Sequence, residues 1–254
     1  MELLRACSMF YKLSQRRPGR DFSSAIAYYE KLKNVKLFPG PSGTMGQIFF
    51  IENNPNQVVK FTTDKSEAMN MQKVKEIQSG NVEGFSEGEI ESIKNNVIRV
   101  NNVFVISPKA GNSYYVIEQE RGKDIPLNVA NKIMFYIGSN ISKQPNSVFP
   151  IISKKLSESS VREELSNLLS EALIEGKEIG IEDKVDVGDL GLLLSTVRKK
   201  IDDSFKDFRP SNMITVKENN VYKIKLIDLG YGTNKPVKLP EHKEWIKKTI
   251  FPKI

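Results

Sequence analysis

Asp207, Asn212 and Asp228 carry the most informative spacing in the chain. Asn212 follows Asp207 by five residues, in Lys206-Asp207-Phe208-Arg209-Pro210-Ser211-Asn212. Asp228 follows by sixteen more, at the end of the apolar run Leu226-Ile227-Asp228-Leu229-Gly230. Between them the pattern predicts two short strands, residues 212–216 and 222–227, with Glu218-Asn219-Asn220 as the hairpin turn. Three oxygen-bearing side chains then stand at the ends of neighbouring strands. Hard divalent cations take oxygen ligands, and Mg²⁺ typically uses one or two carboxylates plus phosphate oxygens. A carboxylate left outside the metal shell accepts a proton from an attacking hydroxyl.

The elements that must position these groups follow from periodicity. Residues 1–34 read as helical, with Ser23-Ser24 as a cap and a basic turn at Arg16-Arg17-Pro18-Gly19-Arg20. Residues 35–38, 47–51 and 57–61 read as strands, separated by a glycine- and proline-rich loop and by Asn53-Asn54-Pro55-Asn56. A helix is expected over 66–78, capped by Asp64 or Ser66. Residues 79–96, with Gly80, Gly84 and Gly88, read as an exposed connection. Two more strands are expected near 103–107 and 113–119. Beyond Gly122 the period turns helical: Ala130, Ile133, Met134, Ile137 and Ile141 share one face. Val161, Leu165, Leu168, Leu169 and Ala172 share a second, and Val187, Leu190, Leu194, Val197 and Ile201 a third. A last helix is expected over 241–250.

Composition bounds the rest. The chain has 254 residues, 39% hydrophobic and 27% charged, enough for a real core and too apolar for wholesale disorder. A single cysteine (Cys7) excludes a disulfide framework, and a single histidine (His242) argues against a multi-histidine metal site. The net charge of +7 favours an anionic ligand without choosing one. No groove-reading motif accompanies the basic residues, so nucleic acid is not expected as the main partner. No stretch approaches the roughly 18 apolar residues of a membrane span. The N-terminus has no apolar run behind a basic start, and a cytoplasmic location is expected.

Asp207-x-x-x-x-Asn212 with Asp228-Leu229-Gly230 resembles the catalytic loop and D-F-G motif of the protein-kinase-like superfamily, which includes the aminoglycoside phosphotransferases. Upstream, Gly43-x-x-Gly46-x-Ile48-Phe49 resembles the end of a glycine-rich loop. Val58-Val59-Lys60 resembles the strand with the ATP-binding lysine, and Tyr114-Tyr115-Val116-Ile117-Glu118 the strand before the hinge, with 119–122 as the hinge. The resemblance covers roughly residues 35–122 and 200–232. It implies an α+β, bilobal protein-kinase-like fold, with a small antiparallel β-sheet N-lobe bearing one helix and a mainly helical, C-terminally shortened C-lobe. The expected division is an N-terminal helical extension (1–34), an N-lobe (35–119) and a C-lobe (120–254).

The same resemblance implies ATP and Mg²⁺ as cofactors and assigns roles. Backbone groups of Gly43, Thr44 and Gly46 would cover the phosphates, with Ile48 just beyond. Lys60 would bind the α- and β-phosphates. Its carboxylate partner is expected to be Glu67, which shares a helical face with Met71, Val74 and Gln78; Glu76 lies on a mostly polar face. Asp228 and Asn212 would hold the metal, and Asp207 would orient and deprotonate the acceptor hydroxyl. Main-chain groups of Glu118 to Glu120 would meet the adenine edge, with Ile117 behind it.

Departures from the family pattern bear on the acceptor. Pro41 replaces the first glycine of the loop, and the H-R-D tripeptide reads Phe205-Lys206-Asp207. Only 24 residues follow Gly230, and none forms an A-P-E motif, so the peptide-docking platform of conventional protein kinases is expected to be missing or rebuilt. Residues 123–204 read as a helical insert that would supply an acceptor site. The expected activity is ATP-dependent transfer to a hydroxyl, with a protein serine or threonine first. An aminoglycoside-type small molecule is the alternative, for which Glu158, Glu163, Glu164, Glu171 and Glu175 would provide carboxylates. A nucleotide-binding pseudokinase acting as an adaptor is the non-enzymatic alternative.

Overall fold

The computed structural model describes residues 22–43, 45–80, 82–106, 113–138, 144–180, 182–230 and Leu239. The expectations for residues 1–21, Thr44, Ile141 and a helix over 241–250 fall outside these. The chain divides into two compact units. One comprises Met1–Met69, Val100–Arg121 and Pro236–Ile254; the other comprises Asn70–Arg99 and Gly122–Lys235. The fold is α+β, with a small antiparallel sheet in the first unit and a mainly helical second unit.

The first unit is built on strands β1 (Leu37–Ser42), β2 (Gly46–Ile51), β3 (Asn54–Thr62), β4 (Val100–Ile106) and β5 (Tyr114–Glu120). They form one antiparallel sheet in the order β1-β2-β3-β5-β4. β1 extends through Pro39, Gly40 and Pro41, which the sequence suggested as a turn. It is an edge strand, where proline's missing N–H costs least, and its register shifts between Pro39 and Ser42. Helix α1 (Ser23–Lys33) covers one face. Alternation along the strands sends Phe49, Ile51, Val59, Phe61, Phe104, Ile106 and Val116 into a core with Phe22, Ala25, Tyr28 and Tyr29. The expected serine cap is not used: α1 starts at Ser23, with Phe22 in the cap position.

Helix α2 (Lys65–Gln78) begins in the first unit, with Met69, and continues in the second from Asn70. Asp64 caps it, its Oδ1 accepting from the N–H groups of Ser66 (2.8 Å) and Glu67 (3.2 Å) and from the Ser66 hydroxyl (2.6 Å).

In the second unit follow α3 (Glu87–Asn96), α4 (Leu127–Ile137), α5 (Phe149–Ser157), α6 (Ser159–Glu175) and α7 (Leu190–Thr196), which widens into a π turn at Val197–Ile201. A four-stranded sheet has the order β6-β8-β9-β7, from β6 (Lys123–Asp124), β7 (Lys184–Val185), β8 (Met213–Glu218) and β9 (Val221–Leu226). The helix α3 corrects the expectation of an exposed connection over 79–96. Ser86 and Glu89 form a reciprocal capping box, and Ile93 and Asn96 are buried. The predicted apolar stripes turn inward: Ile133 and Ile137 on α4, Val161, Leu165 and Leu169 on α6, and Leu190, Leu194, Val197 and Ile201 on α7 and its π turn are all buried. Among the described residues no helix is long and apolar enough to cross a membrane.

Candidate functional site

Each unit presents one group of the residues singled out by sequence. In the first, strand register places Ile48 opposite Lys60, Lys60 opposite Ile117, and Ile117 opposite Val103. Side chains directly opposite in paired strands share a face, so these four form one row across the sheet. Ile117 and Val103 are fully buried, and the face is the one not covered by α1. Lys60 is the lone cation of the row and forms an ion pair with Glu67 of α2. Glu67 is 2% exposed and the Lys60 side chain 12%. A carboxylate this buried is tolerated only when a cation faces it, and helix capping by Asp64 sets the turn that aims it.

The neighbouring row, Phe49, Val59, Glu118 and Asn102, points the other way. The Glu118 carboxylate accordingly lies on the α1 side. Its Oε1 accepts from the Tyr29 hydroxyl at 2.8 Å and pairs with Lys33 Nζ at 2.9 Å. Burial, then the adjacent carboxylate, pushes the Tyr29 hydroxyl far above its ordinary pKa. The backbone of Glu118 to Glu120 lies within the β3–β5 ladder, with Glu120 opposite Gln57, and the Arg121 N–H donates to Asn56 at 3.0 Å. The side chain of Glu118 is therefore a fastening for α1.

The loop between β1 and β2 is tied at both ends. The Gly43 N–H donates to the Gly46 carbonyl at 2.8 Å. The Met45 carbonyl accepts from the Thr63 N–H at 2.9 Å and from the Thr62 and Thr63 hydroxyls at 3.2 Å each. Gly46 has a steric reason to be glycine. A Cβ there would lie 2.6 Å from the Phe61 carbonyl and 3.3 Å from Lys60 Cε. The lysine stem runs across the space that a side chain would fill.

In the second unit the β8–β9 hairpin assembles the acidic group. Asn219 and Asn220 both take positive φ (47° and 65°), the turn conformation that matches strand twist. Register runs from Glu218 opposite Val221 to Met213 opposite Leu226. One step further, the Ile227 N–H donates to the Asn212 carbonyl at 2.8 Å. Asn212 and Asp228 thus stand at the same hairpin end. The Asn212 side chain donates through Nδ2 to the Asp207 carbonyl at 3.1 Å, which leaves its amide oxygen as the metal-type donor. The donor set of one carboxylate and one amide oxygen fits a hard divalent cation that completes its shell from phosphate and water. Among the described residues no group of three or more His, Cys, Asp or Glu is arranged to hold a metal by itself.

Sequence reasoning missed Arg209. Its Nε meets Asp207 Oδ1 at 2.7 Å and its terminal nitrogen meets Oδ2 at 3.1 Å, a two-pronged fork. The i+2 spacing in a tight loop was the available signal. Phe205 is fully buried, as is Phe208, while Lys206 is exposed. Phe205 and Phe208 thus anchor the loop by packing and leave the Asp207 side chain 17% exposed between them. Thr44 lies outside the described residues.

No family model matches the chain, and no curated protein matches it. Among solved structures, the GDP and kanamycin complex of the aminoglycoside phosphotransferase APH(2'')-IIIa is similar over 78% of this chain and 68% of that one, at 15% identity and a TM-score of 0.30.

Proposed function

We propose that the chain is an ATP- and Mg²⁺-dependent phosphotransferase that moves the γ-phosphoryl group of ATP to a hydroxyl acceptor. The observation that carries this reading is the hairpin end in the second unit, where Asn212 and Asp228 adjoin and Asn212 also holds the Asp207 backbone. The Lys60–Glu67 pair in the first unit supports it, as a buried cation held in direction on a largely apolar row.

Phosphoryl transfer needs positioning and charge neutralisation more than covalent chemistry. Asn212 and Asp228 would hold the cation, which when bound screens the phosphate oxygens. Lys60, steadied by Glu67, would bind the α- and β-phosphate oxygens. Ile48 and Ile117 would line the base, with main-chain groups of Glu118 to Glu120 at its edge. The loop of Gly43, Thr44 and Gly46, closed by the Gly43 N–H on the Gly46 carbonyl, would cover the phosphates. Asp207 would take the proton of the acceptor hydroxyl as that oxygen bonds to the γ-phosphorus and the bond to the β-phosphate oxygen breaks. Arg209 holds Asp207 in its two-pronged fork, and its planar guanidinium suits phosphate.

The acceptor is assigned first to a protein serine or threonine. A polycationic acceptor calls for unneutralised carboxylates. On and beside α6, Glu164 is paired with Lys132 at 2.6 Å and Glu158 with Lys155 at 2.8 Å; the solvent-exposed Glu163, Glu171 and Glu175 are the carboxylates that the alternative, an aminoglycoside-type acceptor, would meet. The test is transfer from γ-labelled ATP with Mg²⁺ to the protein itself, to serine- and threonine-containing peptides and to an aminoglycoside. Asp207→Ala and Asp228→Ala should each lower transfer by ~10²–10⁴-fold. Nucleotide binding without turnover in any arm would make the chain a binding module. Absence of Mg²⁺-dependent nucleotide binding in the wild type would overturn the reading.

A further inference from the structure

A buried amide in α2 reaches the segment that carries Asp228, and the proposed reaction does not by itself use it. Asn70 is 7% exposed. Its Nδ2 donates two hydrogen bonds, to Asp202 Oδ2 at 2.8 Å and to the Leu229 carbonyl at 2.7 Å. All three residues lie in the second unit. Asp202 is 1% exposed, and its Oδ1 accepts from the Ser204 N–H at 2.9 Å and the Ser204 hydroxyl at 2.8 Å. The acceptor is thus fixed before the amide reaches it.

The Leu229 carbonyl and the Gly230 N–H belong to one planar peptide group. Its oxygen end takes the Asn70 bond. Its nitrogen end donates to Asp228 Oδ1 at 2.8 Å. A rigid plane held at one end therefore sets the direction of the carboxylate at the other. Leu229, fully buried, prevents the plane from swinging out.

We propose that Asn70 is a positioning residue for Asp228: anchored on Asp202, it orients the Leu229–Gly230 peptide and through it the carboxylate that receives the divalent cation. The inference rests on the phosphotransferase reading for the identity of that cation. Partners that orient a ligand are worth ~10–100-fold in metal affinity, so Asn70 should tune metal uptake without touching the metal.

The discriminating variant is the exchange Asn70→Asp with Asp202→Asn. It keeps a hydrogen bond between positions 70 and 202 but leaves the Leu229 carbonyl without its amide donor. Two measurements follow: hydrogen exchange of the Gly230 amide in metal-free protein, and Mn²⁺ affinity by electron paramagnetic resonance with a non-hydrolysable ATP analogue. The exchange variant should lose Gly230 protection and bind Mn²⁺ ~10-fold more weakly, with nucleotide affinity in chelator unchanged. Asn70→Ala serves if the exchange variant does not fold, with the same expected result. A folded variant that keeps both Gly230 protection and wild-type Mn²⁺ affinity overturns the inference alone. A wild type that takes up no Mn²⁺ with nucleotide overturns the phosphotransferase reading and the metal half of the inference together.

Discussion

The Ile227 N–H donates to the Asn212 carbonyl at 2.8 Å, one step beyond the last paired residues of the β8–β9 hairpin. That bond turns a gap of sixteen residues into adjacency, and its register depends on a two-residue turn more than 10 Å away by ~3.3 Å of rise per strand residue.

The turn is therefore a remote handle on the site. Asn220 has φ 65°, where a β-branched side chain is strained by roughly 1–2 kcal/mol. Asn220→Val should lower stability by about that amount and weaken Mg²⁺-dependent nucleotide binding, while Asn220→Gly should be nearly neutral. Urea melts and metal titrations of the two variants would check this.

On the proposed phosphotransferase reading, variants of Lys60 and Glu67 separate stability from chemistry. Lys60→Met removes the cation facing a carboxylate that is 2% exposed, and should cost about 3 kcal/mol. Lys60→Met combined with Glu67→Met should recover most of that stability, because an apolar pair of similar volume replaces the ion pair. Phosphoryl transfer should be lost in both. Denaturant unfolding beside a transfer assay would show the contrast, and a double variant no more stable than the single one would refute it.

Gly46 should not accept even one carbon. The Cβ of Gly46→Ala meets the Phe61 carbonyl at 2.6 Å, so β2 or β3 must shift, at a cost of about 1–3 kcal/mol. Gly43→Ala, whose nearest contact is the Gly46 carbonyl at 3.8 Å, should be mild. Thermal melts of the two alanine variants would rank them.

Acid should weaken the start of α3 in a defined direction. The hydrogen bond from Lys200, at 2.6 Å, and then the Ser86 backbone N–H hold the Glu89 carboxyl below its ordinary value of 4.5. A carboxylate with a lowered folded-state pKa adds stability above its unfolded value and loses it as pH falls through the folded one. Glu89→Gln retains the capping geometry without the charge. The stability gap between wild type and Glu89→Gln should thus be widest near neutral pH and close as pH falls from the ordinary value of 4.5 through the lowered folded-state one. Melting temperatures across that interval would test it, and a gap that widens in acid would count against the assignment.

Much of the framework was legible because it is local. Period-two alternation located the strands, and turn residues located the β8–β9 hairpin. Helix α3 was legible too, through Ser86-x-x-Glu89, but Gly80, Gly84 and Gly88 drew attention away from it. Helix α5 was missed because nine residues give a short apolar stripe little length in which to repeat.

The order and spacing of Lys60, Glu67, Asp207, Asn212 and Asp228, and the chemistry their types allow, are properties of the chain as written. Long-range choices are not. That Glu118 serves Tyr29 and Lys33, and that Asn70 finds both Asp202 and the Leu229 carbonyl, were decided by tertiary packing. Backbone periodicity assigns a side chain to a face, but only the packed fold decides which polar groups are buried together, and burial is what forces them to pair.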